Sequence, residues 1–181
     1  GCDEEDGEWH VMQSKTRQYV LVRRGEVWKH DLLHLVGTCE ALGARAWMWS
    51  DYGWYHPEYF ERCPKSVIQQ NWYYDECNGG FDPETNNTAD KPRLSEFWTL
   101  EKYGYDQVPC GTQWVGRGRR EAGVNADDVI GKDVKLGREV ISKEHLYGFM
   151  MALWDPCTTE CVDNIKHGID LFAEALAQPM E

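Results

Sequence analysis

The chain has 181 residues, of which 41% are hydrophobic and 13% aromatic, and this composition excludes a disordered chain because disorder leaves little apolar surface to bury. The formal net charge of −12 argues against a nucleic-acid partner, since an acidic surface repels the phosphate backbone. No apolar run approaches the roughly 20 residues of a membrane-spanning helix, so no membrane span is expected. The length suits one domain, and we expect residues 1–181 to form it.

The first part of the chain is predicted to contain an acidic loop and a helical region. Residues 1–8 are rich in Asp and Glu and indicate a loop. From residue 16 to residue 42, apolar side chains recur at three- and four-residue steps, a spacing typical of helix. Gly25 divides this region into two helices in the prediction, and Gly43 follows as a C-cap.

Four strand-like runs alternate with helix-like runs and loops over the rest of the chain. The strands are predicted at residues 44–51, 67–74, 104–111 and 146–154. A loop is predicted at 76–92, helices at 94–102 and 161–178, and no element is assigned to the Gly-rich, charged residues 115–140. The apolar face of the last helix is expected to comprise Val162, Ile165, Ile169, Phe172 and Leu176. The alternation predicts an α/β fold with about four parallel strands in an open half-barrel.

Aromatic and polar residues end the predicted strands. The segments are Trp49-Ser50-Asp51, Trp72-Tyr73-Tyr74-Asp75, Asp106-Gln107 and Trp154-Asp155. Parallel α/β folds carry their functional sites at the carboxyl ends of the strands. We therefore expect Trp49, Asp51, Trp72 and Trp154 to lie on one side of the sheet and to share a cleft.

A cleft lined with Trp and carboxylate suits a carbohydrate. The apolar face of a sugar ring stacks on Trp, and cleavage of a glycosidic bond requires a carboxylic acid that protonates the leaving oxygen. Asp3 and Glu4 begin the most obvious carboxylate cluster, and neighbouring carboxylates favour a proton on one of them. The alternatives are a solvated acidic terminus for this cluster and a core position for each Trp.

The opening residues and the order of the later motifs resemble a known family. The segment Gly1-Cys2-Asp3-Glu4 resembles the end of the H-x-G-G-D-E motif of the family 20 glycoside hydrolases, the β-N-acetylhexosaminidases. The later motifs are similar in order, with Trp49-Ser50-Asp51 at strand five, Trp72 at strand six, Tyr105 and Asp106 at strand seven, and Gly148 to Trp154 at strand eight. The segments around Trp49 and Trp72 also resemble uncharacterised bacterial barrel proteins related to these hydrolases.

The resemblance implies a partial (β/α)₈ TIM barrel, from strand four to strand eight, with the N-terminal half of the barrel missing. It implies hydrolysis of terminal N-acetylhexosamine from an oligosaccharide, with no cofactor and no metal. Glu4 would be the general acid, and Asp3 would orient the 2-acetamido group that acts as the internal nucleophile. The implied substrate-binding residues are Trp49, Asp51, Trp72, Tyr74, Tyr105, Asp106 and Trp154. Related bacterial enzymes are often exported, so a periplasmic or extracellular location is the expectation.

Three alternatives stay open. Cys2 and Glu5 depart from the family motif, and a non-catalytic sugar-binding barrel would keep the Trp walls without the acid. A metal-dependent barrel hydrolase could instead use Asp3, Glu4 and histidines. The start at Gly1 favours a fragment that begins inside a motif, and the other explanation is a lipoprotein with an acylated Cys2.

Overall fold

The computed structural model describes residues 24–74, 92–113 and 125–179. The elements in chain order are α1 (Arg24–Ala41), β1 (Trp47–Trp49), α2 (Glu58–Arg62), β2 (Ile68–Gln70), α3 (Pro92–Lys102), β3 (Cys110–Gly111), α4 (Ala126–Val140), β4 (Met150–Met151) and α5 (Val162–Ala177). Short 3₁₀ turns precede α2 at Asp51–Trp54 and α5 at Thr159–Cys161. Within these ranges, no helix combines the length and the apolar character that a membrane crossing requires.

The strands are short, and they pair in parallel and in chain order. β1 pairs with β2, and β3 pairs with β4. Isolated parallel bridges connect the two pairs, from Gln69 to Gln107 and from Trp72 to Cys110. The order is therefore β1-β2-β3-β4. Parallel neighbours need a crossover connection, and α2, α3 and α4 lie on the three crossovers.

Alternation along the strands gives the sheet two different faces. On one face, Met48 packs against the hydrophobic core, and the side chains of Gln69 and Gln107 hydrogen-bond to α2 and α3. On the other face, Trp47 and Trp49 are 52% and 39% exposed. Because successive residues of a strand point to opposite faces, the described helices cover the Met48 face and leave these two indoles open.

The hydrophobic core contains two clusters. The larger one joins α1, α2, the 3₁₀ turn after β1 and the end of α3, and comprises Leu32, Val36, Tyr52, Tyr59, Phe60, Cys63, Val67, Leu100 and Tyr105. The smaller one joins α3 to the ends of β2 and α4, and comprises Tyr73, Leu94, Phe97 and Ile141. Each large apolar side chain that is fully buried contributes roughly 1.5–3 kcal/mol relative to an exposed one. These clusters fix α3 beside the 3₁₀ turn that follows β1.

Arg45 connects the amino ends of the strands. Its guanidinium lies 2.6 Å from the Asp106 carboxylate, and its Nε donates a hydrogen bond to the Ser66 carbonyl at 2.8 Å. The same guanidinium lies 5.1 Å from the centroid of the Tyr147 ring. Arg45, Ser66, Asp106 and Tyr147 precede β1, β2, β3 and β4 respectively. One side chain therefore contacts the entry segments of the other three strands at this edge.

Helix α4 lies in the region to which no element was assigned from the sequence. The Asn125 side chain begins it by accepting a hydrogen bond from the Asp127 amide, which satisfies a donor that the helix leaves unpaired. Val129 and Val134 are buried on its inner face. Gly137 lies against the Phe149 ring, where an added Cβ would be 2.6 Å from Cε1. Two glycines lower the helix propensity of this segment, and tertiary packing overrides that preference.

The buried face of α5 differs from the apolar face predicted from the sequence. Val162, Ile169 and Leu176 are 39%, 49% and 40% exposed. The fully buried positions are instead Gly168 and Ala175. A Cβ at Gly168 would lie 2.8 Å from a buried glutamine that follows β3, so α5 uses small residues at its closest approach. The five apolar residues that were expected on one face of α5 are therefore not all buried.

Candidate functional site

Aromatic and carboxylate side chains gather where the strands end. The chain leaves β1 into the 3₁₀ turn that contains Asp51 and Trp54, leaves β2 towards Trp72 and Tyr74, and leaves β4 towards Trp154. These five residues are called the carboxyl-edge cluster below. Because the strands are parallel and adjacent, their carboxyl ends lie at one edge of the sheet.

The carboxyl-edge cluster is continuous from β1 to β4. The Trp72 Nε1 donates a hydrogen bond to Asp51 Oδ1 at 2.9 Å. The Trp72 ring stacks on Tyr74 with centroids 4.8 Å apart, and the edge of Trp54 meets Trp72 at 4.8 Å. Tyr74 in turn meets Trp154 at 6.0 Å, and Trp154 is 57% exposed. The rings of Trp54, Trp72 and Tyr74 contact neighbouring side chains, and Trp154 is the most exposed residue of the cluster.

The inner indoles are fixed by polar contacts as well as by stacking. Asn71 is 1% exposed; its Oδ1 accepts a hydrogen bond from Trp54 Nε1 at 2.9 Å, and its Nδ2 donates one to the Arg93 carbonyl at 2.7 Å. The Arg93 guanidinium lies 4.2 Å from the Trp72 centroid and 4.9 Å from that of Trp54. A ring with two or three fixed neighbours loses little freedom on binding, so these rings are already oriented.

A buried carboxyl lies behind the turn that carries Asp51. Glu96 of α3 is 3% exposed, and its Oε1 has no hydrogen-bond partner among the described residues. Burial, and then the negative charge of Asp51, raise the pKa of Glu96 well above its usual value of 4.5. Gly53 makes room for this carboxyl, since a Cβ there would lie 2.6 Å from Oε1. The neutral form of Glu96 is therefore favoured in the folded chain.

The Cys110 thiol lies next to the Tyr74 phenol of the carboxyl-edge cluster. The Tyr74 hydroxyl lies 4.0 Å from Cys110 Sγ. Burial raises the pKa of Cys110 to about 11, and it also raises the pKa of Tyr74 above its usual value. Both groups stay protonated at neutral pH, and a protonated thiol is a poor nucleophile. Neither group is therefore expected to act as a nucleophile at neutral pH.

A second polar group lies next to Trp154. The Asp155 Oδ2 accepts a hydrogen bond from Asn164 Nδ2 of α5, and it lies 3.5 Å from Gln113 Nε2. Gln113 follows β3 and is 3% exposed. These contacts hold Asp155 beside the exposed indole, so the ends of all four strands contribute polar or aromatic groups to this edge.

Tyr105 and Asp106 lie at the opposite edge of the sheet. Tyr105 is fully buried, and its hydroxyl donates to the carbonyls of Phe60 at 3.1 Å and Cys63 at 2.8 Å. Asp106 pairs with Arg45. Both residues precede the bridge of Gln107 to β2, so they begin the third strand, whose carboxyl end follows Cys110–Gly111. The expectation that they share the cleft with Trp72 and Trp154 is therefore corrected.

Asp106→Asn is expected to lower the free energy of unfolding by no more than about 1 kcal/mol, because both partners of its ion pair are partly exposed. It is expected to leave ligand binding at the carboxyl-edge cluster unchanged. Urea unfolding and a ligand titration measure the two effects. A variant with normal stability and weakened binding would instead return Asp106 to the cleft.

The remaining candidates divide into Trp49 and the acidic pair. Trp49 is the last residue of β1 and lies opposite Gln70, and no ring contact joins it to the carboxyl-edge cluster within the described ranges. Asp3 and Glu4 lie outside the described residues.

Trp54, Arg93 and Glu96 were not identified from the sequence. Glu96 lies four residues before the buried Leu100, and this spacing is the one signal that could have placed it on the inner face of α3.

Neither a metal-binding group of the described residues nor similarity to a known protein assigns a function to this site. In the three described segments, no three His, Cys, Asp or Glu side chains form a group that could hold a metal ion. His30 is highly exposed, and His34 is also exposed. Comparison with protein-family models, with curated proteins and with solved structures gave no match.

Proposed function

We propose that this chain is part of a carbohydrate-processing barrel and that the carboxyl-edge cluster binds a sugar. The observation that carries the proposal is the continuity of the cluster. Asp51 is held by the Trp72 indole, and the rings continue through Tyr74 to Trp154. Aromatic rings match the apolar face of a sugar, and a carboxylate with a fixed orientation accepts hydrogen bonds from its hydroxyls.

Two exposed indoles on one face of the sheet support the barrel part of the proposal. Parallel sheets occur almost only with both faces covered, and a barrel covers its inner face with the side chains of the other strands. Trp47 and Trp49 are exposed on the face opposite Met48. We propose that this face is the interior of a (β/α)₈ barrel, in which β1 to β4 are strands five to eight.

The proposed reaction is hydrolysis of a terminal, β-linked N-acetylhexosamine, and it rests on the resemblance of the first residues. The oxygen of the 2-acetamido group attacks the anomeric carbon, while Glu4 gives its proton to the leaving oxygen and the glycosidic bond breaks. Asp3 orients and polarises the acetamido group. Water then attacks the same carbon and gives a proton to Glu4, and the bond from the acetamido oxygen to that carbon breaks. The carbon is inverted twice, so the configuration is retained.

Trp154→Ala is expected to weaken binding of N-acetylglucosamine by roughly 1 kcal/mol or more, about fivefold or more, because the exposed stacking surface is lost. The measurement is titration calorimetry with the sugar. Tyr147→Ala is the matched control, since Tyr147 is also 57% exposed but lies at the amino edge of the strands. The control is expected to bind the sugar with unchanged affinity.

Two outcomes of this titration would count against the proposal. Absence of sugar binding would remove the carbohydrate function, and equal weakening by both variants would remove its location at the carboxyl edge. Non-catalytic sugar binding is the second candidate, because the described cluster supplies binding groups without Asp3 and Glu4. Release of the aryl group from an aryl N-acetyl-β-hexosaminide by the intact protein separates hydrolysis from binding alone.

A further inference from the structure

Arg93 places a positive charge at the edge of the carboxyl-edge cluster. It lies in the first turn of α3 and is exposed, and its guanidinium lies over the Trp72 and Trp54 rings at 4.2 and 4.9 Å. Cation–π contacts of this kind hold the group over the rings. Arg93 makes no ion pair with any carboxylate of the described segments. Its exposed guanidinium is the cation that a ligand beside these two rings would contact.

Hydrogen bonds to Asn71 fix the backbone of Arg93 and the Trp54 ring next to its guanidinium. Asn71 is buried at the end of β2 and hydrogen-bonds both the Arg93 carbonyl and the Trp54 indole. The backbone of Arg93 and one of its two supporting rings are therefore fixed to the same strand. A group that is oriented before binding loses less conformational freedom when a ligand arrives.

Arg93 supplies a positive charge at this point although the chain as a whole is acidic. The net charge is −12, so a bound anion needs a specific cation. Asp51 accepts a hydrogen bond from the neutral Trp72 N–H and keeps its negative charge, so an anion is favoured only beside the Arg93 guanidinium. The N–H donors of a guanidinium lie in one plane, and their geometry matches the two oxygens of a carboxylate or sulfate.

We propose that Arg93 forms an anion subsite at the carboxyl-edge cluster, which selects glycans that carry an acidic substituent, carboxylate or sulfate, beside the sugar that stacks on Trp154. This inference rests on the proposed carbohydrate function and adds the charge of the substrate to it. The neutral part of the sugar contacts the aromatic rings, and the acidic substituent contacts the guanidinium.

The test compares three sugars by titration calorimetry with the full chain: N-acetylglucosamine, N-acetylglucosamine 6-sulfate and N-acetylmuramic acid. At least one acidic sugar is expected to bind about tenfold more tightly than the neutral one, as for a charge-assisted hydrogen bond. Arg93→Gln is expected to reduce this ratio to about one, because the acidic sugar loses about tenfold more affinity than the neutral sugar does. Arg93→Lys should keep part of the ratio, because it keeps the charge and loses the planar donors.

The control is Lys102→Gln, which removes an exposed cation from the last turn of the same helix and is expected to leave the ratio unchanged. Equal affinity for all three sugars in the wild type overturns the anion subsite and leaves the proposed function standing. A ratio that survives in Arg93→Gln also overturns it. If none of the sugars binds, the proposed function falls and the subsite falls with it. The stronger of the two acidic ligands identifies the substituent as sulfate or carboxylate.

Discussion

Glu4→Gln is expected to slow the hydrolysis of aryl N-acetyl-β-hexosaminides with poor leaving groups by about 10²–10⁴ in the intact protein, the usual effect of losing a general acid. Activated aryl groups are expected to slow much less, because they depart as stable anions and need little protonation. The measurement is kcat/KM over a series of leaving groups of increasing basicity. A steeper dependence on leaving-group basicity in the variant identifies Glu4 as the proton donor.

Glu5→Gln is the matched control, since it makes the same chemical change at the adjacent residue. It is expected to leave the dependence on the leaving group as in the wild type. Equal slowing of all substrates by Glu4→Gln, or no slowing, would show that Glu4 is not the acid. Activity confined to sugars without the acetamido group would remove the internal nucleophile and leave Asp3 without its proposed role.

Glu96→Gln is expected to become progressively more stable than the wild type as the pH rises above about 4.5. Burial, and then the charge of Asp51, raise the pKa of Glu96 in the folded chain. Below the unfolded pKa both states hold the proton, and the contribution of Glu96 to stability is fully present. As the pH rises, the unfolded chain releases this proton first, so stability is lost until the folded pKa is passed. Gln has no proton to release and lacks this loss.

The stability difference between Glu96→Gln and the wild type is expected to change by up to about 1.4 kcal/mol per pH unit within that window. Urea unfolding of both proteins from pH 4 to pH 9 measures it. Glu61→Gln is the control, because Glu61 lies on α2 with an exposed side chain. A difference that stays constant with pH for Glu96→Gln would mean that its carboxyl titrates alike in both states.

The sequence predicts the location of the carboxyl-edge cluster at the points where an apolar run ends in aromatic and polar residues. Trp49-Ser50-Asp51 and Trp154-Asp155 end such runs, and parallel neighbours bring those ends to one edge. The pattern is informative because the change from apolar to polar and aromatic residues marks the point at which a buried strand reaches the edge of the sheet. The end of an apolar run therefore predicts that the residues located there lie at the edge of the sheet.

Tyr105 and Asp106 show where this reasoning stops. The segment 104–111 contains both ends of its strand, and only the pairing of Gln107 with Gln69 shows that residues 105 and 106 lie at the beginning. Pairing with another segment is not encoded by local spacing. Asp106 is thus assigned to the carboxyl edge instead of the amino edge when the register of its strand is unknown.

Glu96 and Arg93 were missed for a related reason. A charged residue within a helix is usually solvated, and the composition of α3 alone gives no sign that Glu96 is buried. Its burial depends on Gly53, which belongs to a different segment and leaves the space that the carboxyl fills. The position of Arg93 depends likewise on two indoles from separate segments of the chain. Contacts between distant segments determine these two environments.

The contacts of Arg45 have a consequence for engineering the molecule. They join the segments that enter β1, β2, β3 and β4, whereas the carboxyl-edge cluster lies on the segments that leave β1, β2 and β4. Loops at the exit side can therefore be exchanged or diversified without touching the contacts that align the strands. A library confined to the exposed residues Trp154 and 156–158 would vary ligand preference and would keep the buried Tyr52 and Gly53 of the first turn.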